Sequence, residues 1–576
     1  MIQENYIRLF EDSFRKNWEL NAFTDYGENH TLTYAQVAEQ IAKLHLLFEQ
    51  SGLKKDDKIA LIGKNNSNWA VTYLATITYG AVIVPILQDF NPNDVHHIVN
   101  HSESKALFVS NSIWENLEES SLRTVKTVFS LSDYSLLALT NQPTPTPAEG
   151  NEFENSIDNQ LLEADKLSGT NINAIFAGKY AGGFHKDHVR YVDKHNSELV
   201  CISYTSGTTG FSKGVMLTGN NFAGNVTFGI RTKLLDKGFN IVAFLPLAHA
   251  YGCAFDFLTA TVTGSHVHFI GRTPSAKILL NAFAEIRPNV IFCVPLIIEK
   301  IYKKQIQPLV EKPSMRWVLS IPFLDQTILA QIRKKLIDAF GGNFSQIVVG
   351  GAPLNGEVED FFHKIKFPFT VGYGMTECAP LISYSPAKEF IPKSAGKILD
   401  IMEVKIDRPE SSNGVGEIFV RGENVMSGYY KNEEATADIL DKDGWLHTGD
   451  LGTVDSEGNI FIRGRNKTMI LSGNGQNVYP EEIEAKLNNM PFVLESLVIE
   501  QGGRLHALVC PDYEAVDAEG LAHDKLQDVM EENRKQLNAT VANYESIAKI
   551  ELYPHEFEKT PKKSIKRYLY SKTFES

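Results

Sequence analysis

The chain has 576 residues, more than one hydrophobic core usually organises, so at least two domains are expected. Hydrophobic residues make up 43% and charged residues 22%, an ordinary globular composition. The formal net charge of −14 argues against nucleic acid as the main partner, because a phosphate backbone is bound by basic surface, and leaves room for a local basic pocket around a phosphorylated ligand.

The N-terminal stretch MIQENYIRLFEDSFRKNWEL has no continuous apolar run, and no signal peptide is expected there. Tyr34 to Gln50 has helical spacing, and Lys58 to Gly63 reads as a short apolar strand. Ala70 to Leu87 carries no charge and could pass for a membrane span, but Gly80 and Pro85 interrupt it. It is read instead as a buried helix, Trp69 to Tyr79, followed by a core strand, Ala81 to Ile86; peripheral membrane contact stays open. This alternation predicts a parallel sheet covered by helices. Asn141 to Gly150, rich in Pro and Thr, and the polar sequence to about Ser168 predict a surface loop. Further strands are expected at Glu198 to Tyr204, Ile241 to Leu245, Val290 to Val294 and Ile347 to Gly350. Short alternating strands follow at Glu403 to Val420 and Gly458 to Ile462, and a small α+β unit after Arg463. Cys201, Cys253, Cys293, Cys378 and Cys510 form no CxxC pair and are read as free buried thiols of a reducing, cytoplasmic environment.

The strongest chemical signal is YTSGTTGFSKG, Tyr204 to Gly214, directly after an apolar strand. Its glycines let backbone N–H groups converge, its hydroxyls add donors and Lys213 adds charge, which together make a nest for polyphosphate. The spacing is not that of a Walker A loop, which needs GxxxxGK[ST]. A second motif, VGYGMTECAP at Val371 to Pro380, follows VVGGAPLN at Val348 to Asn355. It sets an aromatic between two glycines and puts a hydroxyl and a carboxylate, Thr376 and Glu377, close behind. Such oxygen ligands suit Mg²⁺, which takes one or two carboxylates together with substrate phosphates. A third, GWLHTGDLG at Gly444 to Gly452, leads into FIRGRNKTMILSGNGQNVYPEEIE at Phe461 to Glu484. Asp450 there can accept two hydrogen bonds from a ribose diol. His249 lies in FLPLAHAYG, and a basic run, EKTPKKSIKRYLY, occupies Glu558 to Tyr570.

In this order, from about Thr31 to Arg567, the motifs resemble those of the acyl-adenylate-forming (AMP-binding) superfamily, most of all the long-chain fatty-acid–CoA ligases. The resemblance implies an α/β fold with a large N-terminal domain of mixed sheets layered with helices, residues 1–464. A small mobile α+β C-terminal domain would take residues 465–576 and hinge at Lys467. ATP, Mg²⁺, CoA and a fatty acid are the implied small-molecule ligands. Thr205, Ser206, Gly207, Thr208, Thr209, Gly210 and Lys213 would surround the ATP phosphates, with Thr208 and Glu377 on Mg²⁺. Gly350, Gly351 and Ala352 would border adenine and the acyl pocket, as would Gly372, Gly374 and Met375, with Tyr373 stacked on the base. Thr376 would contact phosphate, Asp450 the ribose, and Ile462 and Arg465 the nucleotide nearby. His249 would gate the acyl carboxylate, and the loop Ser472 to Asn477 would reach the pantetheine tunnel.

The family's closing lysine, aligned on Ile565-Lys566-Arg567, falls on Ser564. Lys563 is expected to supply that charge, with Lys566 as the second candidate. Ser212 and Gly219 stand where relatives often have proline and histidine. The implied reaction is adenylation of a carboxylic acid by ATP and then thioester formation with CoA. An acyl-carrier protein as acceptor and a catalytically weak acyl- or nucleotide-binding relative are the alternatives. A P-loop NTPase is opposed by the loop spacing.

Overall fold

The computed structural model describes residues 2–28, 30–140, 164–205, 212–271, 275–307, 324–407, 414–471, 477–560 and 565–570. The predicted loop at 141–150 therefore lies outside the described residues; after it, a helix forms at Gly169–Lys179.

An eight-stranded sheet forms the centre of the large domain. Its spatial order is Gly428–Tyr429, Lys213–Thr218, Leu199–Thr205, Val82–Ile86, Lys58–Ile62, Ser104–Val109, Thr127–Ser130 and Leu136–Leu139. Lys58–Ile62 pairs in parallel with both Val82–Ile86 and Ser104–Val109, as the βαβ reading requires. Ile59 and Leu61 join one core cluster while Ala60 and Ile62 join another, so this strand is buried on both faces. That is why it reads as an unbroken apolar run.

The uncharged segment divides as expected. A 13-residue helix, Ser67–Tyr79, is capped by Asn66, whose side chain accepts from the Trp69 N–H, and it ends on Gly80 at φ 94°. An L side chain resists that backbone, so glycine lets the chain turn straight into the next strand. Among the described residues no helix is long and apolar enough to cross a membrane. All five cysteines are buried and free.

A second, four-stranded sheet is ordered Asn240–Ala243, His266–Phe269, Asn21–Asp25 and His30–Thr33. A third holds three parallel strands, Val290–Cys293, Gln346–Val349 and Phe369–Val371. An antiparallel sheet follows, Met402–Asp407, Gly416–Gly422, Leu446–Val454 and Ile460–Arg465. One continuous core reaches from Tyr6 to Ile460.

A separate core gathers Val478, Ile483, Leu487, Val509, Met530 and Ile550. It lies under the sheet of Val493–Gln501, Arg504–Pro511 and Ile547–Leu552 and the helices Pro480–Leu487 and Leu526–Asn538. This is the smaller, α+β domain. The chain is therefore α/β, with a large domain of mixed sheets layered with helices and a small C-terminal one.

Candidate active site

Three parallel strands end together, and the residues after their carboxyl ends are Val294, Gly350 and Gly372. In open α/β sheets ligands bind outside such ends. A cavity of about 50 Å³ lies there, and its walls include Gly350, Gly351, Gly372, Tyr373, Gly374, Met375 and Thr376. His249, Tyr251, Phe255 and Phe292 line it from the other side. Two motifs far apart in sequence thus meet around one space. The approach at Gly350 is close, since a Cβ there would lie 3.3 Å from the Tyr251 ring and the ring would have to give slightly. The Tyr251 hydroxyl donates to the Val348 carbonyl at 2.9 Å, which fixes that ring as a wall. Ala352 follows on an exposed turn and is not part of the wall.

The GMTECAP turn is held from outside by buried amides. The Asn225 Oδ1 accepts from the Leu381 N–H at 3.0 Å, and the Asn424 amide donates to the Leu381 carbonyl at 2.7 Å. Asn225 comes from the helix Gly219–Arg231, whose first residue packs so close to Asn196 that a Cβ would lie 3.3 Å from its Cα. That packing accounts for glycine at position 219.

Two polar clusters adjoin the wall, one through Tyr373 and one through Glu377, next to Thr376. The Tyr373 hydroxyl donates to Asp450 at 2.6 Å, and the Arg465 guanidinium meets the same carboxylate at 2.7 Å. Asp450 and Arg465 are direct cross-strand partners in the antiparallel sheet, and Ile462 stands opposite Gly452 on the same strand pair. Burial pushes the Asp450 carboxyl above its ordinary value, against the pull of Arg465. Tyr373, expected as a stacking face, is itself buried, and its hydroxyl is already committed to the aspartate.

In the second cluster Glu377 and Lys213 were expected and Tyr429 was not. The Tyr429 hydroxyl donates to the buried Glu377 carboxylate at 2.8 Å, and the Lys213 ammonium sits 4.9 Å from the Tyr429 ring centroid. Burial and then the Glu377 charge hold the Tyr429 phenol far up. Lys213 is not in a loop; it is the first residue of a strand, opposite Thr205, and Gly428–Tyr429 pairs along that strand's free edge. The signal for Tyr429 was present as the glycine–tyrosine–tyrosine run at 428–430, but the strand pairing that aims it is long-range.

Ser206, Gly207, Thr208, Thr209 and Gly210 lie outside the described residues, as do Lys563, Ser564 and positions 472–476. Lys467 is exposed, in a single turn at Asn466–Thr468. Lys566 lies 3.4 Å from Glu558, and Arg567 pairs with Glu484 of its own domain. Among the described residues there is no group of three or more His, Cys, Asp or Glu side chains that could hold a metal. Glu377 fits Mg²⁺ in another way, as one buried carboxylate anchored by Tyr429, because Mg²⁺ is commonly held by one or two carboxylates plus substrate phosphates.

The family profile of the AMP-binding enzymes matches residues 10–430, and that of their C-terminal domain matches 467–576. The chain belongs to the AMP-binding enzyme family. Among curated relatives of this family, the long-chain-fatty-acid–CoA ligase FadD15 of Mycobacterium bovis is 27% identical over 590 residues, covering 95% of this chain and 91% of its own. The human long-chain-fatty-acid–CoA ligase ACSBG2 is 25% identical, covering 84% of this chain and 71% of its own. Among solved AMP-binding folds, the anthranilate CoA ligase AuaEII with anthranoyl-AMP superposes with a TM-score of 0.75 at 17% identity, covering 98% of this chain and 96% of that one. ATP-bound MatB from Rhodopseudomonas palustris gives 0.73 at 21%, covering 99% of each chain.

Proposed function

We propose that this AMP-binding enzyme activates a fatty acid with ATP to acyl-AMP and pyrophosphate, and then forms acyl-CoA with release of AMP. The observation that carries this reading is the meeting of Asp450, Tyr373, Glu377 and Lys213 around the carboxyl ends of three parallel strands. Asp450 is suited to the ribose diol, and Arg465 holds its carboxyl in place and pulls against the effect of burial. Tyr373 forms the wall on which the base would rest.

Catalysis in such a site is positioning and charge neutralisation. A carboxylate oxygen of the acid attacks the α-phosphorus of ATP, and the bond to the β-phosphate oxygen breaks as pyrophosphate leaves. Lys213 lowers the negative charge along the phosphates, and Thr376 holds the reacting end together with His249, which lies across the cavity. Glu377 would hold Mg²⁺ with Thr208; the ion supplies charge neutralisation to the phosphates. Two unit charges about 4 Å apart at an effective dielectric near 20 interact by about 4 kcal/mol, so a cation between carboxylate and α-phosphate matters greatly to rate. We assign that cation to Lys563, since Lys566 is engaged with Glu558. Residues 465–576 would then rotate about Lys467 and bring the 472–477 loop to the site for attack of the CoA thiolate on the acyl carbonyl.

The long acyl chain is suggested by the names of FadD15 and ACSBG2. A cavity of about 50 Å³ is far below the roughly 300–1,000 Å³ of a pocket that buries a drug-sized ligand, so Tyr251, Phe255 and Phe292 must part to admit such a chain. The test is acid-dependent ATP–pyrophosphate exchange over acids of graded length, followed by thioester detection with CoA and, separately, with carrier protein. Exchange with fatty acids and acyl-CoA formation are expected, and Lys213→Ala should lower exchange by about a hundredfold or more. ATP turnover that ignores the acid would sink the reading, and thioester formation on carrier protein alone would reassign the acceptor.

A further inference from the structure

Behind the cavity wall lies a charged residue type with nothing to bind. Asp256 is fully buried, and among the described residues neither of its carboxyl oxygens has a hydrogen-bond partner. It belongs to a π-helix, Gly252–Thr259, a wide helical form found in short pieces and frequently at functional sites. In that form hydrogen bonds reach five residues along, so Asp256 lies one turn beyond Tyr251 and directly after Phe255. Both of those neighbours line the cavity, and so does Phe292, stacked on Phe255 with ring centroids 5.7 Å apart. Burial first, and then the neighbouring Asp256, push up the pKa values of Tyr251 and of Cys293, the residue after Phe292. Its place is therefore beside the wall residues Tyr251 and Phe255, which carry it on the same helix.

Burial drives the Asp256 carboxyl well above the ordinary aspartate value, which favours its protonated form, an acid with one donor and spare acceptor capacity. A buried polar group without a partner costs stability, and an apolar residue would serve a plain hydrocarbon chain better. A hydroxyl is the smallest group that both gives and takes a hydrogen bond against a neutral carboxyl.

We propose that Asp256 is a specificity-determining residue that reads a hydroxyl on the acyl chain, so that the preferred substrate is a hydroxylated fatty acid rather than its unsubstituted counterpart. This rests on the acid-activation reading above.

The experiment is pyrophosphate exchange with pairs of fatty acids matched in length, one plain and one hydroxylated, the hydroxyl being moved along the chain. Wild-type protein is compared with Asp256→Asn and Asp256→Leu, the fold of each checked by thermal melting. In the wild type the best hydroxy acid should exceed its plain partner in kcat/KM by about tenfold or more. Asp256→Asn, which keeps a donor and an acceptor, should retain that preference, and Asp256→Leu should abolish or reverse it while still activating the plain acid. If no hydroxy acid outperforms its partner, the inference is overturned. A parallel loss for both acids in the two variants would do the same, since it would mark Asp256 as a packing residue. Exchange with plain acids alone leaves the activation reading standing and removes only this one. Failure with every acid removes both.

Discussion

Glu377 and Tyr429 form the most testable pair of single residues. A phenol that donates to a buried carboxylate both orients it and offsets its lost hydration; hydrogen bonds to charged groups contribute about 1.5–3 kcal/mol. Tyr429→Phe keeps the ring beneath Lys213 and removes only the donor. Pyrophosphate exchange should fall about tenfold to a hundredfold with the melting temperature little changed; an unaltered kcat/KM would show that the contact is incidental. Asp256 makes a prediction of a different kind. Its carboxyl is raised in the folded protein, whereas in the unfolded chain it titrates near pH ~3.9. Between those two values the folded state holds a proton that the unfolded state has lost, so this group's contribution falls as pH rises. Asp256→Asn removes that slope. The variant's gain in melting temperature over wild type should therefore be larger at pH 8 than at pH 5, and an equal difference at both would contradict the buried neutral acid.

At the scale of elements, the site depends on short strands brought together by close approach. Tyr373–Gly374 pairs with Leu381–Ser383 across the GMTECAP turn, and a Cβ on Gly374 would run into the Pro380 carbonyl. The obstacle is backbone, which cannot swing aside as a side chain would. Gly374→Ala should lower stability by about 1–3 kcal/mol, read as a drop in the urea midpoint, and should weaken nucleotide binding with it. A midpoint equal to wild type would mean that the turn relaxes freely. The βαβ strands were readable because each is buried on both faces and so carries an unbroken apolar run. Gly428–Tyr429 was not, because two residues carry no periodicity and the pairing with Met216 and Val215 is set by the fold.

Across the whole molecule, polar links are among the contacts that join the small domain to the large one. The Lys303 ammonium donates to the Asn488 carbonyl at 2.9 Å, Asn489 donates to Asn355 at 3.1 Å, and Asn466 donates to Glu417 at 3.1 Å. Polar links at a wet surface contribute little each, so the orientation of the two domains should be easy to disturb. Replacing Lys303 and Asn489 together by alanine should broaden the distance distribution seen by small-angle scattering while the large domain melts as before. An unchanged distribution would mean that apolar packing, not these links, sets the arrangement.

What the sequence by itself determined was the local chemistry: a Gly/Thr-rich loop after an apolar strand with the composition of a phosphate nest, a Tyr–Gly–Met–Thr–Glu turn, an aspartate suited to a diol, and the α/β alternation. These follow from residue type and short-range periodicity, which are written within a few positions of one another. Only the tertiary structure decided that Asp450 and Arg465 face each other across two strands, that Tyr429 closes on Glu377, and that Asp256 is buried beside the cavity wall with no partner among the described residues. The separation runs from 15 positions for Asp450 and Arg465 to 52 for Glu377 and Tyr429, and the packing of sheets and helices, not local propensity, brings them within a few ångströms.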